Sequence, residues 1–162
     1  MKQLSLLFIC VLLLIQSDAQ EKRNITPFDV YRFQQISDPQ LSPDGNWVLY
    51  VLTSVDSAKD KYNQDLWMTG WDGKEEVQLT NGPDNESSPR FSPDGKYISF
   101  LASRVGDDEK VAEKKSQVYL MDRRGGEAKK LTNVKGNIIE YLWKPEGSGI
   151  TAQTKDYLFY HC

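Results

Sequence analysis

Cysteine is nearly missing from this 162-residue sequence, which has only Cys10 and Cys162. Cys10 lies inside an apolar N-terminal run, and once that run is removed Cys162 stands alone. Neither an internal disulfide nor a cysteine metal site can then form. Histidine is scarcer still: His161, next to the terminus, is the only one. The strand-to-helix nucleophile elbow Gly-x-Ser-x-Gly is absent, and the nearest string, Gly147-Ser148-Gly149, lacks its spacing. No nucleophile, base and acid can be assembled from such residues. The expectation is therefore no catalytic residue, no cofactor and no metal, with substrate-binding residues unidentified. An excess of one charge sign is missing as well. Twenty basic residues face 23 acidic ones, net −3, with the signs mixed along the chain. Nucleic acid, which needs a concentrated basic face, is excluded as a partner. Long hydrophobic runs are limited to the twelve residues from Leu4 to Ile15, short of the roughly 20 that span a bilayer.

That run follows Lys2 and precedes Ser17-Asp18-Ala19, which offers small residues at the −3 and −1 positions of a signal-peptidase site. Residues 1–19 read as a signal peptide, so the mature chain is expected to begin at Gln20, to be secreted or periplasmic, and to keep no stable membrane anchor. Asn24-Ile25-Thr26 and Asn85-Glu86-Ser87 match the glycosylation sequon, which matters only in a eukaryotic cell.

What the sequence has is core material, 39% hydrophobic with 11% aromatic residues, enough for a packed domain. Residues 20–37 read as a lead-in. Thr26 is the N-cap, Pro27 the first helical position and Asp29 the third, with Ile25 and Val30 placed as a hydrophobic staple. Ser37-Asp38-Pro39 should end this short helix after about two and a half turns. From Gln40 the pattern changes to strands. Trp47 to Leu52 is apolar, aromatic and β-branched, as suits a strand buried on both faces. After a polar loop come Asp65 to Thr69, a turn at Gly70-Trp71-Asp72-Gly73, and Glu76 to Thr80.

The same order then returns. Leu41-Ser42-Pro43-Asp44-Gly45 reappears 50 positions later (91 − 41) as Phe91-Ser92-Pro93-Asp94-Gly95, followed by strands at Tyr97 to Leu101, Gln117 to Met121 and Ala128 to Thr132. Leu79-Thr80 and Leu131-Thr132 are 52 apart (131 − 79). A third copy opens at Tyr141-Leu142-Trp143, with Lys144-Pro145-Glu146-Gly147 at the turn. A unit of four antiparallel strands repeated about every 50 residues predicts an all-β fold, a β-propeller, because a β-sandwich needs no self-similarity between its groups of strands. The expected organisation is a blade over 38–87, a second over 88–137, and the start of a third over 138–162. A propeller typically closes with four to eight blades, so about two and a half blades read as an incomplete one. In each turn Pro fixes φ, Asp tolerates bridge geometry and Gly accepts positive φ. Ser42, Pro43, Asp44, Gly45, Ser92, Pro93, Asp94 and Gly95 are thus expected to shape backbone rather than hold a ligand. Trp47 and Trp67 read as blade packing.

At these residues the sequence resembles the N-terminal propeller of secreted prolyl oligopeptidase family serine peptidases, and is most similar to the acylaminoacyl-peptidase and dipeptidyl-peptidase branches. The matching strings are Leu41 to Gly45 with its apolar strand, Asp65-Leu66-Trp67, Gln78-Leu79-Thr80, and Pro89 to Gly95. The resemblance covers about residues 25 to 158. It implies a propeller that caps a C-terminal α/β-hydrolase domain, missing from this sequence, and admits only short peptides to it. TolB-like periplasmic propellers share the Ser-Pro-Asp-Gly units, so a non-enzymatic protein-binding scaffold is the alternative. Some family members anchor the substrate's amino terminus with paired glutamates on a propeller insertion. Asp107, Asp108 and Glu109 are the acidic candidates here, but with Lys110, Lys114 and Lys115 beside them they read as a solvated loop.

Overall fold

The computed structural model describes residues 23–104, 114–155 and 160–161. Apart from one short 3-10 helix, every regular element in it is a strand. Three antiparallel sheets follow one another along the chain. The first holds β1 (Gln35–Leu41), β2 (Trp47–Asp56), β3 (Lys61–Gly70) and β4 (Glu76–Gln78) in sequence order. The second holds β5 (Glu86–Phe91), β6 (Tyr97–Ala102), β7 (Gln117–Asp122) and β8 (Lys129–Lys130), again in order. The third holds β9 (Ile138–Trp143), β10 (Ile150–Thr154) and β11 (Tyr160–His161).

The repeat extends to strand register. Val48 faces Thr69 in the first sheet as Ile98 faces Met121 in the second. Each opening strand carries a bulge at the same place, between Ser37 and Gln40 and between Ser87 and Arg90. Asp38 (φ 48°) and Ser88 (φ 51°) take the left-handed conformation there. A bulge on an edge strand also tolerates a proline, which has no amide to give the ladder. Ser37-Asp38-Pro39 therefore lies inside β1 and does not end a helix. The lead-in helix is a 3-10 helix confined to Pro27–Arg32. The Asp29 carboxylate does accept the Thr26 amide at 2.7 Å and pairs with Arg23. The staple is not made, however: Ile25 is 82% exposed and Val30 49%. A helix this short needs a packed apolar face to grow, and this one has none.

The fourth strands are shorter than the sequence suggests, for a side-chain reason. The Leu66 amide donates to Thr80 Oγ1 at 2.8 Å, and the Val118 amide to Thr132 Oγ1 at 3.0 Å. The amides of Leu79 and Leu131 return to the carbonyls of Leu66 and Val118, both at 2.8 Å. The threonine hydroxyl replaces a main-chain partner and turns the chain out of the sheet.

The second sheet packs on both faces. Leu49, Val51, Leu66 and Met68 of the first sheet meet Ile98, Phe100, Tyr119 and Met121 of the second. On the other face Leu101 and Val118 meet Ile138, Tyr141, Ile150 and Ala152 of the third. Strand alternation supplies both sets, because successive side chains on β6 and β7 point to opposite faces. Burying each large apolar side chain stabilises by roughly 1.5–3 kcal/mol.

Candidate functional site

The Ser-Pro-Asp-Gly turns sit at one end of the sheets and share one geometry. The Ser42 hydroxyl donates to Asp44 Oδ1 at 2.6 Å, the Asn46 amide donates to the same oxygen at 3.1 Å, and the Trp47 amide donates to Ser42 Oγ at 2.9 Å. Ser92, Asp94, Lys96 and Tyr97 repeat these bonds at 2.7, 3.1 and 2.9 Å. Gly45, Gly95 and Gly147 close the three turns at φ between 69° and 73°, where a side chain would be strained. Lys144 replaces the serine in the third turn, and Ser148 donates to Glu146 instead, at 2.7 Å. Both Asp44 and Asp94 are held down to about 2, first by the serine hydroxyl and then by the turn amide.

Successive turns also stack. The Pro43 ring lies 3.5 Å from where a side chain on Gly95 would begin, and the Pro93 ring 3.7 Å from the same point on Gly147. Across the first of these contacts Arg123 Nη1 donates to Asp44 Oδ2 at 2.9 Å, its guanidinium 5.9 Å from the Trp47 ring. Asp44 is therefore a link between sheets as well as a turn former. Arg90 makes a second link, to Asp38 at 2.8 Å. Trp47 and Trp67 are half-buried, and Trp47 packs on the core between the first two sheets.

A polar cluster that the sequence did not reveal lies between those sheets. Glu86 is fully buried; it accepts Thr80 Oγ1 at 3.0 Å and pairs with Arg104 at 2.9 Å. The Arg104 guanidinium also lies 5.5 Å from the Phe100 ring and 4.9 Å from that of Tyr119. Burial pushes the Glu86 carboxyl up, and Arg104 opposes the shift. Asp65 is buried beside it and pushed up by desolvation, with the Gly82 backbone opposing the shift, and its Oδ2 accepts Asn63 Nδ2 at 2.7 Å. The second sheet solves the same position differently. Gln117 Oε1 accepts Thr132 Oγ1 and the Val134 amide, both at 2.9 Å, while Nε2 donates to the carbonyls of Val134 and Gly136. The only legible signal was the 52-residue offset that pairs Asp65 with Gln117 and Thr80 with Thr132.

A cavity of about 360 Å³ opens beside Thr80, Gly82, Asp84, Glu86 and Arg104. Of its charged groups, Glu86 pairs with Arg104 and Asp84 with Lys114, while Glu127 also borders it. No group of three metal-ligating side chains occurs among the described residues. Asn85, which heads a sequon, is exposed and accepts the Gln64 amide through Oδ1 at 3.1 Å. Asp107, Asp108, Glu109 and Lys110 lie outside the described residues, as do the expected signal peptide, Cys10 and Cys162. Lys114 pairs with Asp84 at 2.7 Å.

Repeated antiparallel sheets that stack face to face in a common register are propeller architecture, and known proteins agree. No family model matches the sequence. An uncharacterized peptidase of Bacillus subtilis, YuxL, is 35% identical over 129 residues, 80% of this chain and 19% of its own. Dipeptidyl-peptidase 5 of Porphyromonas gingivalis is 30% identical over 51% of this chain and 12% of its own. A TolB homolog of Chlorobaculum tepidum is 32% identical over 59% of this chain and 20% of its own. The solved acylaminoacyl peptidase of Pyrococcus horikoshii superposes with a TM-score of 0.57 at 25% identity, covering 75% of this chain and 17% of that one. The chain is propeller sequence of the kind these peptidases carry, a kind it shares with TolB proteins, and it spans a fifth or less of each relative's length.

Proposed function

We propose that the chain is the N-terminal propeller portion of a secreted serine peptidase acting on short peptides. In this reading the three sheets are two complete blades and the opening of a third. The propeller limits which substrates reach a C-terminal α/β-hydrolase domain encoded by a longer reading frame, and that domain supplies the nucleophile, acid and histidine. The observation that carries the proposal is the 35% identity to a peptidase over four fifths of the chain.

The test is to express the product of the whole reading frame and expose it to a serine-directed fluorophosphonate and to chromogenic dipeptidyl and acyl-aminoacyl substrates. Labelling with hydrolysis of short substrates, and no hydrolysis of folded proteins, is the expected result. A soluble product that takes no label would overturn the proposal in favour of a TolB-like scaffold, which the TolB match favours. The 162-residue chain alone should take no label in either case.

A further inference from the structure

The two linkers that leave the fourth strands are built alike. Leu79-Thr80-Asn81 and Leu131-Thr132-Asn133 lie 52 residues apart (131 − 79). In each, the threonine hydroxyl takes a main-chain amide of the sheet, and the asparagine that follows is exposed. The amide of the next residue then meets a polar side chain: the Gly82 amide meets the Asp65 carboxylate, and the Val134 amide donates to Gln117 Oε1 at 2.9 Å. The linkers differ in that next residue, glycine after Asn81 and valine after Asn133. Asn81 is the only asparagine in the sequence with glycine behind it.

We propose that Asn81 is a site of spontaneous modification, at which its side-chain amide becomes a carboxylate through a cyclic imide formed with the Gly82 nitrogen. That nitrogen gives its proton to solvent and bonds to Asn81 Cγ, while the side-chain nitrogen takes a proton and leaves as ammonia. Water then opens the ring. Breaking the bond to Cγ leaves aspartate, and breaking the bond to the main-chain carbonyl carbon leaves isoaspartate, whose backbone runs through Cγ. One water is consumed, one ammonia is released, and nothing is oxidised or reduced. Ring closure needs the backbone to turn so that the nitrogen reaches Cγ; glycine allows this at no steric cost, whereas the branched side chain of valine crowds the approach. An amide hydrogen bond has to break in either linker, so the difference lies in that side chain. The consequences fall on the joint between the first two sheets. Asn81 and Gly82 border both the 360 Å³ cavity and a second of about 660 Å³ that also reaches Lys59, Lys61 and Lys114. A carboxylate gained there joins Asp84 and Glu86 on the first cavity, and isoaspartate adds one backbone atom to the link between β4 and β5. The inference does not rest on the peptidase reading.

The test incubates the 162-residue chain in heavy-oxygen water at mildly alkaline pH and body temperature. Samples are digested with trypsin in ordinary water and the peptides sequenced by mass spectrometry. Circular dichroism recorded through the incubation shows that the folded chain is the reactant. The peptide Glu75–Arg90 should gain the mass of an NH-for-O exchange, with heavy oxygen at Asn81 and none at Asn85, and separate into aspartate and isoaspartate forms. Asn133, in the peptide Leu131–Lys135, should convert at least roughly tenfold more slowly, the effect of about 1.4 kcal/mol on a barrier. Gly82→Ala is the variant that isolates the cause. Its added Cβ would lie 3.9 Å from the Asp84 amide nitrogen, an ordinary contact, so the fold is kept. Conversion at Asn81 should fall in it by a factor of roughly ten as well. A folded chain that takes up no heavy oxygen at Asn81, equal rates at Asn81 and Asn133, or a folded Gly82→Ala chain that converts as fast as wild type would overturn the inference.

Discussion

Asp44 and Asp94 make the same two hydrogen bonds to their turns, and their serines are equally buried. They differ in their outer oxygens: Asp44 reaches Arg123 on the next sheet, while Asp94 reaches only its neighbour Lys96. The turn role was legible in the Ser-Pro-Asp-Gly spelling, because each residue there answers a local backbone need. The link to Arg123 was not, because a contact across 79 residues depends on how sheets stack. Both carboxyls sit at about 2 in the folded chain against an ordinary 3.8. Folding is therefore helped by their ionised forms above the ordinary value, and that help is lost as pH falls through about 4 towards 2. The midpoint of urea unfolding should drop over that window in wild type, and the drop should be shallower in the Asp44→Asn, Asp94→Asn double variant. Gly45 gives a cleaner backbone test. Its φ is +73° and nothing lies within 4 Å of an added methyl group, so Gly45→Ala should cost about 1 kcal/mol from conformation alone. A urea midpoint equal to that of wild type would contradict this.

At the scale of elements, the strand expected at Tyr97 to Leu101 is β6, and it is buried on both faces. Phe100 faces the first sheet and Leu101 the third. Phe100→Ala should cost about 3–5 kcal/mol, read as a large fall in the unfolding midpoint by circular dichroism. The ends of the fourth strands were misjudged because Leu-Thr reads as strand by propensity, whereas the hydroxyls of Thr80 and Thr132 each replace a ladder partner. Thr132→Val keeps the shape and removes both hydroxyl bonds, leaving the Val118 amide and Gln117 Oε1 short of a partner. A loss of about 1–3 kcal/mol is expected, with faster hydrogen exchange at the Val118 amide than at the Leu66 amide. Unchanged exchange there would show that the hydroxyl does not close the sheet. The helix was overread for a related reason: capping residues were visible at Thr26 and Asp29, but whether a neighbour would cover Ile25 and Val30 was not.

At the scale of the whole molecule, repetition was the strongest signal. One offset of 50 residues at the turns and one of 52 at the threonines recur as equivalent hydrogen bonds in three dimensions. What repetition could not disclose is where the copies diverge. Asp65 replaces Gln117, and the buried Glu86 takes over the hydroxyl that Gln117 receives in the second sheet. Those departures hold most of the buried charge between the first two sheets. The central claim, that these sheets belong to the propeller of a serine peptidase, is tested most directly by reading the coding DNA beyond codon 162 in all three frames. The account predicts further four-stranded units followed by an α/β-hydrolase domain with a Gly-x-Ser-x-Gly elbow. Further units that end in a stop codon, with no such elbow in any frame, would contradict it.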